Sequence, residues 1–351
     1  MLTIWTNRLF SLKGKKSGML EMTLKTSLDT LTMEAAVLGG AILGNGGGGK
    51  LEDGLYLGEL ATAQGGAALL DPGGLPAQTA AAAVLSFYSS GYDTHQIHPR
   101  QVHRAVTMLQ ENLDSKVLGL ANAGMGAVDS IIGWELSAFM GIPLLNMGIP
   151  PLYHPATLRN LLLFWQETAA QMHFSVILVG PANSSHEPSE HLWHGRPSDL
   201  LDKLDALPAV GEDSYAVAAG PLQPGEGIPS QVNKLLRMGH AMLTANENGG
   251  EATVTTLQKM LPYSFSVLAT VTDINWHGQG QESYGIIELR DINNRRLQLT
   301  YGQRYRELSV DGRLTALFPD LIITLGILGT PLTGEEVFIG QDLYLMTVPH
   351  Q

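Results

Sequence analysis

The sequence predicts an α/β protein, with an α/β layer in its first half and a small β-barrel or sandwich towards its end. In the first half, short apolar strands alternate with helical patterns, and several strands end in glycine or polar residues. From Tyr263 onward, short strands follow one another, separated by Gly, Asn and Asp turns. A chain of 351 residues is long enough for two domains.

Each element of the first half follows from local periodicity. Apolar residues at helical spacing predict helices over 31–43, 51–63, 99–113 and 129–140. Short apolar runs predict strands over 67–70, 84–88, 116–121 and 141–146. In α/β folds, ligands bind beside the loops that follow the carboxyl ends of such strands. The alternation therefore predicts both a layered sheet and the edge where a site would lie.

The order of predicted helices and strands changes in the second half of the chain. Helices are predicted over 158–172 and 231–244, with strands over 175–180 and 214–220. Five further strands are predicted over 267–274, 285–289, 296–301, 313–317 and 342–348. We therefore expect a disordered basic tail over 1–28, an α/β domain over 29–165 and a β-rich domain with a helical insertion over 166–351.

The charge, the cysteine content and the length of the apolar runs exclude or disfavour several classes of function. The formal net charge is -12, yet the first 28 residues are basic, with Arg8, Lys13, Lys15, Lys16 and Lys25 against Glu21. The rest of the chain is strongly acidic, which disfavours a nucleic-acid-binding surface. The chain has no cysteine, so disulfides, thiolate metal sites and cysteine nucleophiles are excluded. The apolar runs are too short for a membrane span, and we expect a cytoplasmic protein without membrane contacts.

A glycine-rich loop over 44–50 (GNGGGGK) joins the first two predicted helices. Glycine adds no side chain to a core and loses the most backbone freedom on folding, so this run indicates a need for bare backbone. Unpaired N–H groups before a helix, together with the positive end of its dipole, bind anions. We therefore predict that Gly46, Gly47, Gly48 and Gly49 contact a small-molecule ligand.

Three other interpretations of this loop stay open. The loop fits a nucleotide-binding P-loop, but Leu51 stands where that motif needs Ser or Thr for magnesium. It also fits the dinucleotide pattern G-x-G-x-x-G, although the preceding run over 33–43 is at least as typical of a helix as of the required strand. Asp71, at the distance expected for a ribose-binding acid, lies in a turn-like sequence. A tight helix–helix turn is the third interpretation.

Three histidines, His95, His98 and His103, lie around Pro99 directly after a predicted strand. Neutral imidazoles at such spacings can hold zinc or a similar divalent metal. His98 and His103 are five residues apart, however, and not the four that align two ligands on one helix face. A solvated loop or a helix start is the alternative interpretation of these residues.

Candidate acid–base residues come from the ends of the predicted strands. Asp93, Asp129 and Asn146 each follow a strand, and we expect them to converge on one cleft that faces the glycine-rich loop. His154 lies soon after Asn146 and is, with Asp129, a candidate catalytic residue, although a hydrogen-bonded structural role is the alternative. Neither G-x-S-x-G nor H-E-x-x-H occurs in the sequence.

Several stretches resemble the S-methyl thiohydantoin desulfurase-like proteins, a family often encoded beside hydantoinases. The matching pieces are LGNGGGG at 43–49, GIP at 141–143, Gly285, and PDLI at 319–322. The resemblance extends over nearly the whole chain after residue 30. It implies an N-terminal α/β sandwich followed by a C-terminal β-barrel, in agreement with the periodicity. It also implies a ligand of the hydantoin or thiohydantoin type.

The sequence departs from the family pattern where chemistry is expected. The family's Glu-Ile-Gly-Gly-x-Asn motif falls on GMGAVD at 124–129, and its Asp-x-Asp-Gly-x-Gly-Arg-x-x-Pro-Glu motif falls on NMGIPPLYHPA at 146–156. Most of the carboxylates are therefore absent, and Asn, Gly and Ala cannot replace them as bases or metal ligands. Two hypotheses follow: a divergent enzyme acting on a small cyclic amide or thioamide, and a non-catalytic binding or assembly subunit. The sequence leaves the oligomeric state open, a homo-oligomer included.

Overall fold

The computed structural model describes residues 26–76, 79–88, 97–149, 158–180, 189–206, 214–223, 227–277, 284–302 and 304–350. The tail predicted over 1–28 thus lies almost entirely outside the described residues. In the first part of the chain, the elements are β1 (Thr26–Ser27), α1 (Thr30–Leu43), α2 (Leu51–Gln64), β2 (Ala68–Leu70), β3 (Ala80–Tyr88), α3 (Pro99–Glu111), β4 (Val117–Asn122), α4 (Asp129–Met140), β5 (Leu144–Leu145), β6 (Met147–Gly148), α5 (Leu158–Thr168), β7 (Phe174–Val179), β8 (Glu190–Gly195), α6 (Pro197–Asp205) and β9 (Ser214–Leu222).

The later elements contain two helices and a run of strands. They are β10 (Ile228–Pro229), α7 (Gln231–Asn246), α8 (Gly250–Met260), β11 (Phe265–His277), β12 (Tyr284–Asp291), β13 (Arg296–Tyr301), β14 (Tyr305–Val310), β15 (Arg313–Leu317), β16 (Leu321–Gly326), β17 (Pro331–Leu332) and β18 (Asp342–Val348). None of the described helices is long and apolar enough to cross a membrane.

The first sheet has eight described strands in the order β1-β2-β5-β4-β3-β9-β7-β8. Its centre is parallel, because β2 pairs with β5, β5 with β4, and β4 with β3 in that sense. The strands β9, β7 and β8 extend it with antiparallel pairings. This sheet therefore runs on to Leu222, past the domain boundary predicted at residue 165.

The second sheet is entirely antiparallel, in the order β15-β14-β13-β12-β11-β18-β16-β17. The predicted α/β class is confirmed, with an α/β part followed by an antiparallel β part. The second sheet keeps two edges, at β15 and β17, and the strands described in the structure do not close into the expected barrel.

One apolar core joins the two sheets. It contains α1, one face of the first sheet, α7, and residues of β16 and β18 such as Leu325 and Met346. Helix α1 is buried nearly all round, as its lack of a polar face predicts. It crosses α7 closely: a Cβ on Gly239 would lie 1.8 Å from the carbonyl oxygen of Ala35. Glycine is therefore required at this crossing. Two further cores lie beneath α5 and α6 and within the second sheet.

Candidate functional site

The carboxyl ends of β2, β5, β4 and β3 lie along one edge of the first sheet, because these strands are parallel. Polar residues occur at each end: Asp71 follows β2, Asn146 follows β5, Asn122 ends β4, and Ser86 lies near the end of β3. This is the edge at which α/β folds bind ligands. The side chains there form two separate hydrogen-bonded groups, one around Asp129 and one around Asn146.

Asp129 lies at the first position of α4, directly after the loop that follows β4. Its side chain is 3% exposed, and Ser86 Oγ donates a hydrogen bond of 2.5 Å to its Oδ1. Burial raises the pKa of Asp129 to about 6, against the lowering effects of the nearby Arg304 charge and of the Ser86 hydrogen bond. A carboxyl that changes charge near neutral pH is suited to general acid–base work.

Asn122 fixes the position of the helix that carries Asp129. Its Nδ2 donates to Ser130 O at 2.9 Å, and its Oδ1 accepts from Gly133 N at 3.0 Å. Because Asn122 ends β4, these bonds tie the first turns of α4 to the strand before it. The carboxyl of Asp129 is therefore held in place by the sheet and not by a free loop.

Arg304 reaches this group from the second sheet. It lies between β13 and β14, is 5% exposed, and its Nη1 donates to Gly44 O at 2.9 Å. Its Nη2 lies 3.7 Å from Asp129 Oδ2. Neither Arg304 nor Ser86 was identified from the sequence, because a single arginine in a hairpin turn and a single serine in a strand carry no motif. A pair 175 positions apart gives no local signal either.

The first half of the glycine-rich loop packs against the second sheet. Asn45 Nδ2 donates to Tyr305 O at 3.0 Å, and Asn45 Oδ1 accepts from Ile322 N at 2.7 Å. Gly46 has a φ of +76°, and its carbonyl oxygen accepts from Gly334 N at 2.9 Å. A Cβ on Gly46 would lie 2.2 Å from the Tyr305 ring. Bare backbone is needed here for close contact between the two parts of the chain.

The second half of the loop lies beside Asp129. Gly48 O accepts from Val128 N at 3.0 Å and from Asp129 N at 3.4 Å, so this loop also fixes the start of α4. At the start of α2, Leu51 N donates to Glu336 Oε1 at 3.4 Å. A carboxylate of the chain itself therefore lies at the helix end where we predicted a ligand anion. Gly48 and Gly49 are partly exposed, and ligand contact by Gly46, Gly47, Gly48 and Gly49 stays a prediction.

Asn146 is at the centre of the second hydrogen-bonded group at this sheet edge. Its Nδ2 donates to Asp71 Oδ1 at 2.9 Å, and its Oδ1 accepts from Asn233 N at 3.1 Å. Its carbonyl oxygen accepts from Ser230 N at 2.8 Å. Asn146 thus ties the start of α7 to the sheet edge. It shares the edge with Asp129, but it shares none of the hydrogen bonds described above for Asp129.

The predicted metal ligands have other partners. His98 Nδ1 accepts from Arg100 N at 3.3 Å and caps α3, while His103 Nε2 lies 2.8 Å from Glu135 Oε1. Within the described ranges, no group of three or more His, Cys, Asp or Glu is arranged to hold a metal ion. His95, Asp93 and His154 lie outside the described residues, so zinc binding at the histidines stays a prediction.

Two comparisons with known proteins found similarities to this chain. Residues 32–149 match the family model described as S-Me-THD-like, N-terminal domain. The structure is similar to the crystal structure of a protein from Chromobacterium violaceum, a target of the Northeast Structural Genomics Consortium, with a TM-score of 0.63 and 16% identity over 93% of this chain and 92% of that chain. At that identity the likeness shows a shared fold alone. The comparison with curated proteins gives no match. Residues 32–149 are therefore similar to the N-terminal domain of the S-methyl thiohydantoin desulfurase-like proteins.

Proposed function

We propose that this protein binds a small cyclic amide or thioamide, of the hydantoin or thiohydantoin type, at the carboxyl edge of β3 and β4 and hydrolyses it with Asp129 as the acid–base residue. The observation that carries the proposal is the buried carboxyl of Asp129 between Ser86 Oγ and the guanidinium of Arg304. The similarity of residues 32–149 to the S-Me-THD-like N-terminal domain supports the class of ligand, and the position of Asp129 supports the place where it binds.

The environment of Asp129 fits both halves of a hydrolysis. With a pKa of about 6, the carboxyl is mostly ionised at neutral pH and can take a proton from an attacking water. It can then return that proton to the ring nitrogen or sulfur as the C–N or C–S bond breaks. Because the family's other carboxylates are absent at 124–129 and 146–156, the chemistry would depend on Asp129 far more than in a typical family member. His154 and Asp93 remain further candidates in this proposal.

Binding and turnover of purified protein test the proposal. Calorimetry with hydantoin, thiohydantoin and S-methyl thiohydantoin should give saturable binding, and chromatography should detect the ring-opened acid or released thiol. Asp129→Asn keeps the shape of the side chain but removes its charge, and should lower turnover at least about a hundredfold, the lower range for a general base. Asp114→Asn, at an exposed acid, is the matched control and should leave turnover unchanged.

A second candidate function is a non-catalytic binding or assembly subunit. It is favoured by the contacts that close the glycine-rich loop, because Asn45 and Gly46 are engaged with Tyr305, Ile322 and Gly334. Saturable ring binding without any turnover in wild-type protein would favour this candidate. Absence of binding by all three rings would overturn the ligand class altogether.

A further inference from the structure

Two neighbouring turns of the second sheet carry exposed apolar side chains. Gly326 ends β16 opposite Leu343 of β18, so the turn after β16 and the turn before β18 lie side by side. Four large apolar residues on these turns are between 56% and 71% exposed: Ile327, Leu328, Phe338 and Ile339. We call these four residues the apolar patch. Turns ordinarily carry small or polar residues, and a group of exposed apolar side chains marks an interaction surface.

Backbone contacts hold the apolar patch in place. Gly340 N donates to Val271 O at 2.8 Å, and Val271 N donates to Gln341 O at 2.9 Å. These bonds fix the turn before β18 against β11. A Cβ on Gly250 would lie 2.3 Å from Ile327 O, so the turn after β16 packs directly against the start of α8. Because both turns are already ordered, a partner that binds here pays little further entropy.

Acidic side chains border the apolar patch. Asp342 directly follows the turn before β18, and Glu251 lies in the first turn of α8. Both are exposed, and neither forms an ion pair with another described residue. The nearby Lys50 already has an acidic neighbour, since its Nζ lies 4.0 Å from Glu335 Oε2. A matching partner therefore offers an apolar side chain with basic residues around it.

A turn of this kind lies at the opposite end of the same sheet. Strand β12 is antiparallel to β11, whereas β16 is parallel to β11 because both are antiparallel to β18. The turns after β12 and after β16 therefore leave the sheet in opposite directions. The turn after β12 carries Ile292, which is 91% exposed. Asp291 Oδ1 fixes this turn by accepting from Asn293 N at 2.9 Å and from Arg295 N at 2.8 Å.

Arginines surround Ile292. Four of them lie at this end of the sheet, on the β12–β13 and β14–β15 hairpins: Arg290, Arg295, Arg296 and Arg313. Arg295 and Arg296 pair with carboxylates of the same sheet. Arg290 and Arg313 are exposed and form no ion pair with another described residue. We call Ile292, Arg290 and Arg313 the basic tip.

We propose that copies of this protein associate head to tail, with the basic tip of one copy seated on the apolar patch of the next. Ile292 enters the patch, and Arg290 and Arg313 face Asp342 and Glu251. Charge selects this arrangement, because patch on patch would oppose acids with acids and tip on tip would oppose arginines with arginines. The two surfaces differ, so the contact is heterologous and one copy can join two others. This inference does not depend on the proposed function.

The exposed area sets the expected strength of association. The apolar patch exposes roughly 400 Å² of apolar side-chain surface. That is close to the apolar share of a standard interface, which buries about 800 Å² on each partner. The basic tip supplies less, from Ile292 and the apolar stems of two arginines. We therefore expect a dissociation constant of about 10–100 μM, with weaker association at higher salt concentration.

Sedimentation velocity of the full chain tests the association. Between about 1 and 300 μM, which brackets the expected constant, the wild-type sedimentation coefficient should rise with concentration. Ile292→Ser and Leu328→Ser should each weaken self-association at least about tenfold, the effect of losing one buried apolar side chain. Leu163→Ser, at a 40% exposed leucine of α5, is the control and should behave as wild type. All three changes are at exposed positions, and circular dichroism checks that each variant is folded.

Mixing the two variants separates head-to-tail association from a symmetric contact. Ile292→Ser keeps an intact apolar patch and Leu328→Ser keeps an intact basic tip, so an equimolar mixture should form dimers and nothing larger. A mixture that stays monomeric would overturn the inference, as would association that is lost in Leu328→Ser but kept in Ile292→Ser. The inference also fails if wild-type protein is monomeric throughout. Equal association in about 0.05 and 0.5 M NaCl, between which the Debye length falls about threefold, would contradict the role of the charges.

Discussion

Asn45 and Tyr305 are joined by two hydrogen bonds across the boundary between the two sheets. Asn45 Nδ2 donates to Tyr305 O at 3.0 Å, and Tyr305 N donates to Asn45 O at 2.8 Å. Asn45 has a φ of +54°, in the left-handed region that Asn tolerates better than most residues. The side chain of Asn45 thus completes the hydrogen bonding of a buried strand end that belongs to the other sheet.

Asn45→Ala should therefore lower the stability of the whole protein. The change leaves Tyr305 O and Ile322 N buried without these partners, and each such group costs about 1–3 kcal/mol. We expect a loss of roughly 2–5 kcal/mol in the free energy of unfolding, measured by urea titration. Asn248→Ala, at an exposed position after α7, is the control. A loss below about 0.5 kcal/mol, typical of surface changes, would contradict the assigned role.

Two glycines with similar backbone angles allow strain and steric overlap to be separated. Gly46 has a φ of +76° and Gly66 has a φ of +81°. A Cβ added at Gly46 would overlap the Tyr305 ring, whereas a Cβ added at Gly66 would have no described atom within 4 Å. Gly66→Ala should cost about 1–2 kcal/mol, from the left-handed conformation alone. Gly46→Ala should cost clearly more in the same urea titration. Equal costs would show that the Tyr305 contact is not close.

Gly239→Ala tests the crossing of α1 and α7. Alanine favours a helix by about 1 kcal/mol over glycine, so an uncrowded site would be stabilised by the change. Here the new Cβ would lie 1.8 Å from Ala35 O, a backbone atom that cannot move alone. We expect net destabilisation by several kcal/mol, with a fall in Tm in calorimetry. An unchanged or raised Tm would mean that the two helices are further apart than described.

The raised pKa of Asp129 predicts a pH-dependent stability difference between the wild type and Asp129→Asn. The folded-state pKa of about 6 exceeds the ordinary value of 3.8, so the unfolded chain loses this proton first as the pH rises. Wild-type stability should therefore fall relative to the variant between about pH 4 and pH 6, and the loss should be complete above that range. The loss in the free energy of unfolding, relative to the variant, is roughly 3 kcal/mol.

Urea unfolding of both proteins at pH 4.0, 5.0 and 7.0 measures this difference, and contributions from all other titrating groups cancel when the two curves are subtracted. Asp114→Asn, at an exposed acid, should give a difference that is flat over the same range. A wild-type advantage that grows with pH would mean that Arg304 and Ser86 outweigh burial, and that Asp129 is an ordinary ion-paired carboxylate.

Local patterns predicted the elements well, because helical spacing and strand alternation are set by which side of each element is buried. Asp129 was predicted as a site residue because it follows a strand end, and it does lie at the carboxyl edge of the sheet. Its partners could not be predicted. Ser86 and Arg304 are 43 and 175 positions away, and they meet Asp129 only through pairing of β3 with β4 and docking of the second sheet.

The glycine-rich loop shows a different limit of sequence analysis. Its glycine content indicates that other atoms pack closely against the loop backbone. Composition alone does not say whether those atoms belong to a ligand or to the rest of the chain. In the structure, Tyr305, Gly126 and Val128 pack against Gly46, Gly48 and Gly49. The extension of the first sheet past residue 165 is a further example, because β7 and β9 join that sheet through pairings that no local pattern records.

The apolar core is shared by α1, α7, β16 and β18, so neither part of the chain can bury its apolar surface when it is produced alone. A gene truncated after the first sheet, at residue 223, would leave the apolar surface of α1 without α7 and the strands that cover it. Such a fragment should precipitate on expression, and nonsense mutations anywhere in the last third of the gene should behave as full losses. Natural relatives assembled by swapping this β part for another would need to replace α1 as well.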